Sequence, residues 1–137
     1  MYKKILIPID LAHRDRLAKA IDTAVDLARR YGAPLVIVGV TEETPGPVAH
    51  NPQEYARRLD AFADELARTH GIATQAKAYA AHDPATQIDE TLLKAVGETG
   101  ADLVVMASHP PTAGGALLPS HGGRLASHAA VSVFLVR

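Results

Sequence analysis

Leu35-Val36-Ile37-Val38-Gly39-Val40 holds no polar side chain. A strand with one solvated face alternates apolar and polar residues, whereas a strand covered on both faces is apolar throughout. Three further runs have the same character: Lys3 to Ile9, with Ile5, Leu6, Ile7 and Ile9; Leu103-Val104-Val105-Met106; and Val131-Ser132-Val133-Phe134-Leu135-Val136. Strands of this kind belong to a parallel sheet with helices on both faces. Thr74 to Tyr79 is more polar and fits a strand at the sheet's edge.

Between these runs the apolar period changes to that of a helix. From about Arg14 to Tyr31, residues Leu17, Ala20, Ile21, Ala24, Leu27 and Ala28 recur three and four apart. Tyr55, Leu59, Phe62, Ala63 and Leu66 do so from Pro52 to His70, and Ile88, Leu92, Ala95 and Val96 from Pro84 to Thr99. Asn51-Pro52 and Asp83-Pro84 read as helix starts, with Asn or Asp capping the first amides and Pro in the first helical position. Gly32, Gly71 and Gly100 stand just past the helix ends, where a left-handed exit suits glycine. A fourth helix fits between the last two strands. The alternation predicts an α/β fold, a three-layer sandwich with right-handed crossovers, as a single domain over residues 1–137. The longer connections, Thr41 to His50 and Ser108 to Pro119, both leave the carboxyl ends of strands, the edge where open α/β sheets bind ligands.

Composition narrows the function. With 47% hydrophobic and 21% charged residues the chain is an ordinary globular one, not a disordered one. A net charge of -1 gives no basic face for nucleic acid, and the few aromatics offer no base-stacking platform. The absence of cysteine excludes disulfides, thiolate metal sites and cysteine nucleophiles. The apolar stretch near the N-terminus is broken by Pro8 and Asp10, too short for a signal peptide or a membrane span, so a cytoplasmic protein without membrane insertion is expected.

Two segments could carry chemistry. Ile7-Pro8-Ile9-Asp10 ends the first strand with a carboxylate that could hold a sugar hydroxyl or a base amino group, or could cap the helix that follows; the two roles are compatible. Ala107 to Gly123 leaves a buried strand and enters a helix. It contains Gly114-Gly115, the hydroxyl of Ser120 at a helix start, and Gly122-Gly123, and unpaired amides in such a place favour anions. The segment lacks the Gly-Lys-Ser/Thr ending of a P-loop, and the first strand-to-helix turn lacks the GxGxxG fingerprint. Of the histidines, His13, His50 and His82 are placed on exposed loops, while His109 and His121 flank the candidate phosphate loop. None has metalloprotease spacing, and Ser120 beside His121 is not a dyad on adjacency alone.

Three stretches resemble the universal stress protein family: Met1 to Asp10, Gly100-Ala101-Asp102-Leu103-Val104-Val105-Met106-Ala107-Ser108-His109, and Ser127 to Arg137. The resemblance spans essentially the whole chain. It implies the family's strand order 3-2-1-4-5 in an adenine nucleotide alpha hydrolase-like sandwich. Many members bind ATP through G-x2-G-x9-G-(S/T). Here Ala107 and Pro110 replace the first two glycines, and Pro119-Ser120 aligns one residue early, as in a subgroup with Ala-Ser-His after the fourth strand. The resemblance therefore implies Pro8, Asp10 and Val40 as adenine and ribose neighbours and Ser120 as a phosphate-contacting hydroxyl. The expected site extends from these to Ile9 and Gly39 beside the adenine and to Ala107, Ser108, His109, Pro119, Ser120, His121 and Gly122 around the phosphates. Proline has no amide to donate, so Pro110 and Pro119 each remove a phosphate contact.

The expected function is that of an ATP-binding regulatory protein of the stress response, with Mg²⁺ accompanying the phosphates and a partner reading the nucleotide state. A protein partner such as a transporter fits that role. The alternative is an interaction module that dimerises without nucleotide. Catalysis is not expected beyond, at most, a slow ATP hydrolysis: a receiver-like phosphoacceptor would need an acidic neighbour for Asp10 and a Lys after the last strand, and an adenylyl transferase would need a HxGH pair. A homodimer through the apolar C-terminal strand, extending to a tetramer in some members, is implied as well.

Overall fold

The computed structural model describes residues 1–108 and 121–137. The apolar runs form β1 (Ile5–Pro8), β2 (Leu35–Glu42), β3 (Thr74–Ala81), β4 (Leu103–Ala107) and β5 (Ser132–Val136). All pair in parallel, in the order β3-β2-β1-β4-β5. The sequence thus predicts both the class and the order correctly. β2 and β3 run two residues beyond their predicted ends, with Thr41 and Glu42 in register with Ala80 and Ala81. Backbone pairing continues there although Thr41 and Glu42 are polar, and Ala81 at the end of β3 is still buried.

The helices are α1 (Ala18–Tyr31), α2 (Pro52–His70), α3 (Pro84–Thr99) and α4 (His121–His128). On one face of the sheet, Ile5, Ile7, Leu35, Ile37 and Val105 pack under α1 and α2. On the other, Leu6, Val36, Val38, Val104 and Met106 meet Leu92 and Ala95 of α3 and Leu125 of α4. Successive strand residues point to opposite faces, so each apolar run feeds both layers, and burial of both sets is the main drive for the fold.

Two helix starts differ from expectation. The first helix does not begin near Arg14: Leu11–Leu17 forms 3-10 turns broken at His13 (φ -132°, ψ 33°), and α1 opens at Ala18. Asp10 caps this segment, accepting the Ala12 amide at 3.0 Å as the chain leaves β1. Asn51 caps α2 as predicted, accepting from the Glu54 amide at 2.8 Å, while Glu54 accepts from the His50 amide at 3.0 Å. Asp83 makes no such cap. Its carboxylate accepts from the Thr86 hydroxyl at 2.8 Å, and its amide donates to Gln87 Oε1 at 3.0 Å. The three predicted glycine exits hold, with φ of 60° at Gly32, 65° at Gly71 and 71° at Gly100.

At the amino edge Asp102 ties β4 to the start of the chain. Its carboxylate accepts from the Lys3 amide at 2.9 Å and the Lys4 amide at 3.1 Å, and Lys4 Nζ donates to the Thr99 carbonyl at 3.0 Å.

Candidate functional site

At the carboxyl edge, β1 stops at Pro8 while β2 continues to Glu42. The step between them opens a cavity of about 450 Å³. Its floor is Pro8, Ile9, Val38 and Val40; Met106 and Ala107 at the end of β4, with Ile88 of α3, close one side. Tyr55 of α2 and the loop residues Pro47, Val48 and Ala49 close the other.

The step has a consequence for hydrogen bonding. In a parallel sheet a residue's N–H and C=O point to the same neighbouring strand, and the direction alternates along the chain. Leu35 donates to Ala73 on the β3 side at 2.9 Å, and Val38 accepts from Ile9 on the β1 side at 2.7 Å. Val40 therefore turns its amide and carbonyl to the β1 side, beyond the point where β1 has ended. A donor and an acceptor lie side by side at the edge of an apolar slot.

Asp10 stands at the mouth, its side chain 63% exposed, with Oδ2 2.9 Å from His13 Nδ1. Tyr55 is buried, and burial first, then the charge of Asp10, pushes its phenol up to about 12. It stays protonated, a hydrogen-bond donor, across the whole working range of pH. Among the described residues no three His, Asp or Glu side chains come together as metal ligands.

Of the predicted site residues, the structure brings Pro8, Ile9, Asp10, Val40 and Ala107 into the cavity wall. Gly39 is not in the wall. A Cβ at Gly39 would lie 2.5 Å from Tyr55 Oη and 2.8 Å from its Cε1, so glycine is needed there to let α2 settle on β2. Ser108 is absent from the wall too; its amide donates to the Val136 carbonyl at 2.7 Å and closes the β4–β5 ladder. His121 and Gly122 open α4. His109, Pro119 and Ser120 lie outside the described residues.

Sequence reasoning missed Tyr55, which reads as an ordinary member of the α2 core stripe. It placed the loop after β2 at the ligand edge, where the structure puts it, without showing which of its residues cover the cavity. The signal there was Val48-Ala49, two apolar residues in an otherwise polar, proline-containing connection; both pack against the core. A turn closes that loop, with the Gly46 amide donating to the Ala49 carbonyl at 3.0 Å.

The chain matches the universal stress protein family over residues 1–137. Among solved structures it is similar to a protein of that family from Burkholderia pseudomallei, 27% identical, with a TM-score of 0.70 over 98% of this chain and 96% of that one. A universal stress protein in complex with cAMP is 20% identical, with a TM-score of 0.74 over 99% of this chain and 97% of that one. The universal stress protein from Archaeoglobus fulgidus in complex with dAMP is 17% identical, with a TM-score of 0.67 over 99% and 98%. No curated protein matches the chain. Among the described residues no helix is long and apolar enough to cross a membrane.

Proposed function

This chain belongs to the universal stress protein family, and on that premise we propose that it binds an adenine nucleotide in the cavity between β1 and β2 and acts as a regulatory protein whose nucleotide state is read by a partner. The observation that carries the reading is the step between the strands. The Val40 amide and carbonyl match the acceptor N1 and donor N6 of an adenine edge, and the apolar walls from Pro8, Ile9, Ile88 and Met106 suit its two faces. Asp10 at the mouth is placed to accept from a ribose hydroxyl. The complexes of fold relatives with cAMP and dAMP lend support from outside the chain. Binding rather than turnover is the role these groups support: apolar surface, one exposed carboxylate and a phenol held protonated. Calorimetric titration with AMP tests the reading. Saturable binding is expected, and an absence of heat at millimolar AMP would remove it.

A self-association role is favoured by a separate observation. Phe134 and Leu135 on edge strand β5 are 46% and 37% exposed. The opposite edge is guarded: Lys77 of β3 pairs with Glu98 at 2.9 Å, and Tyr79 donates to Glu98 at 2.8 Å. We propose that β5 pairs with a second copy. Sedimentation should show a dimer at micromolar concentration and a monomer for Phe134→Lys; a monomeric parent protein contradicts this.

A further inference from the structure

One polar group in the cavity wall is left unanswered by the protein. Tyr55 is 4% exposed and lines the cavity, yet its hydroxyl makes no hydrogen bond among the described residues. Buried tyrosines normally find a partner. The hydroxyl is not sealed off, because no fully enclosed side-chain atom of the described residues lacks a partner; the space it opens on is the cavity. The fold makes room for this oxygen. A Cβ at Gly39 would lie 2.5 Å from it, so the phenol rests on bare backbone. A phenylalanine would fill the ring's space with no hydroxyl to satisfy. Elsewhere in the described wall, Thr41 donates to the Glu42 carbonyl at 3.4 Å and Thr44 to the Glu42 carboxylate at 3.3 Å.

Asp10 comes to the same level of the sheet. Pro8 is in register with Val38, and the Ile9 amide donates to the Val38 carbonyl at 2.7 Å, so Asp10 emerges within one residue of the level of Gly39. The two side chains differ in what they offer. An ionised carboxylate only accepts, and Asp10 keeps acceptor capacity beyond the Ala12 amide and His13. The phenol, kept protonated by burial and by the Asp10 charge, has a proton to give. A ligand group that meets both must accept from one and donate to the other. A hydroxyl does this; an ether or phosphate oxygen only accepts, and the adenine amino group only donates. We infer that Tyr55 is a sugar-recognising residue, its hydroxyl donating to a ribose hydroxyl whose own proton goes to Asp10. The inference rests on the adenine reading of the same cavity and gives the ligand's sugar a second polar contact.

The test is a cycle: adenosine, 2′-deoxyadenosine and 3′-deoxyadenosine titrated into the parent protein and into Tyr55→Phe, with AMP as a control. The substitution removes an oxygen that no described protein group holds, so the free variant should melt at or above the parent's temperature. Adenosine should bind the variant about fivefold more weakly, the worth of one neutral hydrogen bond. That loss should vanish on the analogue that lacks the bridging hydroxyl, where parent and variant bind alike. A loss undiminished on both analogues places the phenol against the base and overturns the inference while leaving the adenine reading intact. Equal affinity of parent and variant for adenosine overturns it as well. A variant that melts well below the parent makes the hydroxyl a structural group and has the same consequence. Failure of every nucleoside and of AMP to bind the parent removes the adenine reading and the inference together.

Discussion

Asp102 and Asp10 stand at opposite ends of the same sheet, and their surroundings differ in kind. Asp102, partly buried at the amino edge, spends its carboxylate on the amides of Lys3 and Lys4. Burial works to raise its pKa, but the amide hydrogen bonds outweigh it and hold the carboxyl below its ordinary value. Asp10, at the carboxyl edge, accepts the Ala12 amide and meets His13, and the rest of its oxygen surface faces the cavity mouth. A carboxylate can take about four hydrogen bonds. One aspartate is consumed by the fold and the other is left with capacity for a ligand. In a parallel sheet this division is expected, because crossover helices deliver long loops to the carboxyl edge, where a site can be built without loosening the core.

The largest effect that separates the two should come from Asp102→Ala. Leaving the Lys3 and Lys4 amides without their charged acceptor should cost about 2 kcal/mol of stability by chemical denaturation, with nucleotide affinity unchanged. The pH dependence has a definite sign. A carboxyl whose folded pKa is lowered stabilises the fold fully above its unfolded value, and that contribution is lost as pH falls through the folded one. The stability gap between the parent and Asp102→Asn should therefore be constant near neutrality and close in the acid range below the ordinary 3.8. A gap that is flat with pH would contradict the clamp.

Asp10→Ala should show the converse, with a smaller effect on the fold. Its stability cost is the loss of one cap in a 3-10 turn, about 1 kcal/mol or less, because the exposed pairing with His13 contributes little. Adenosine and AMP affinity should fall about tenfold, the worth of a hydrogen bond to a charged acceptor. Equal losses of stability and affinity in both variants would erase the distinction between the two ends.

The sequence exposes the fold more readily than the site, for physical reasons. Runs such as Leu35 to Val40 and Leu103 to Met106 are apolar because both faces of each strand are covered, and Gly32, Gly71 and Gly100 mark left-handed exits that disfavour side chains. Those signals are local. The site depends on where one strand stops beside another: Pro8 and Asp10 mark a break after β1, but nothing in the second segment shows that β2 runs on to Glu42. Gly39 shows the difficulty: it is expected beside the adenine, but its close approach is to Tyr55. Asp83 and Asp10 show it again, since the predicted cap is not made at Asp83, whose carboxylate takes the Thr86 hydroxyl, and forms at Asp10 on a 3-10 turn in place of the α-helix.

The central claim is that Val40 reads an adenine edge, and AMP and IMP titrated side by side test it most directly. IMP has the same sugar and phosphate, with a protonated N1 and an acceptor O6 that reverse the hydrogen-bonding edge. The account predicts AMP bound at least about tenfold more tightly than IMP, the cost of leaving the Val40 donor and acceptor unmatched, with the Val40 amide resonance shifting only on AMP. Equal affinities, or AMP binding that leaves the Val40 amide unmoved, would contradict it.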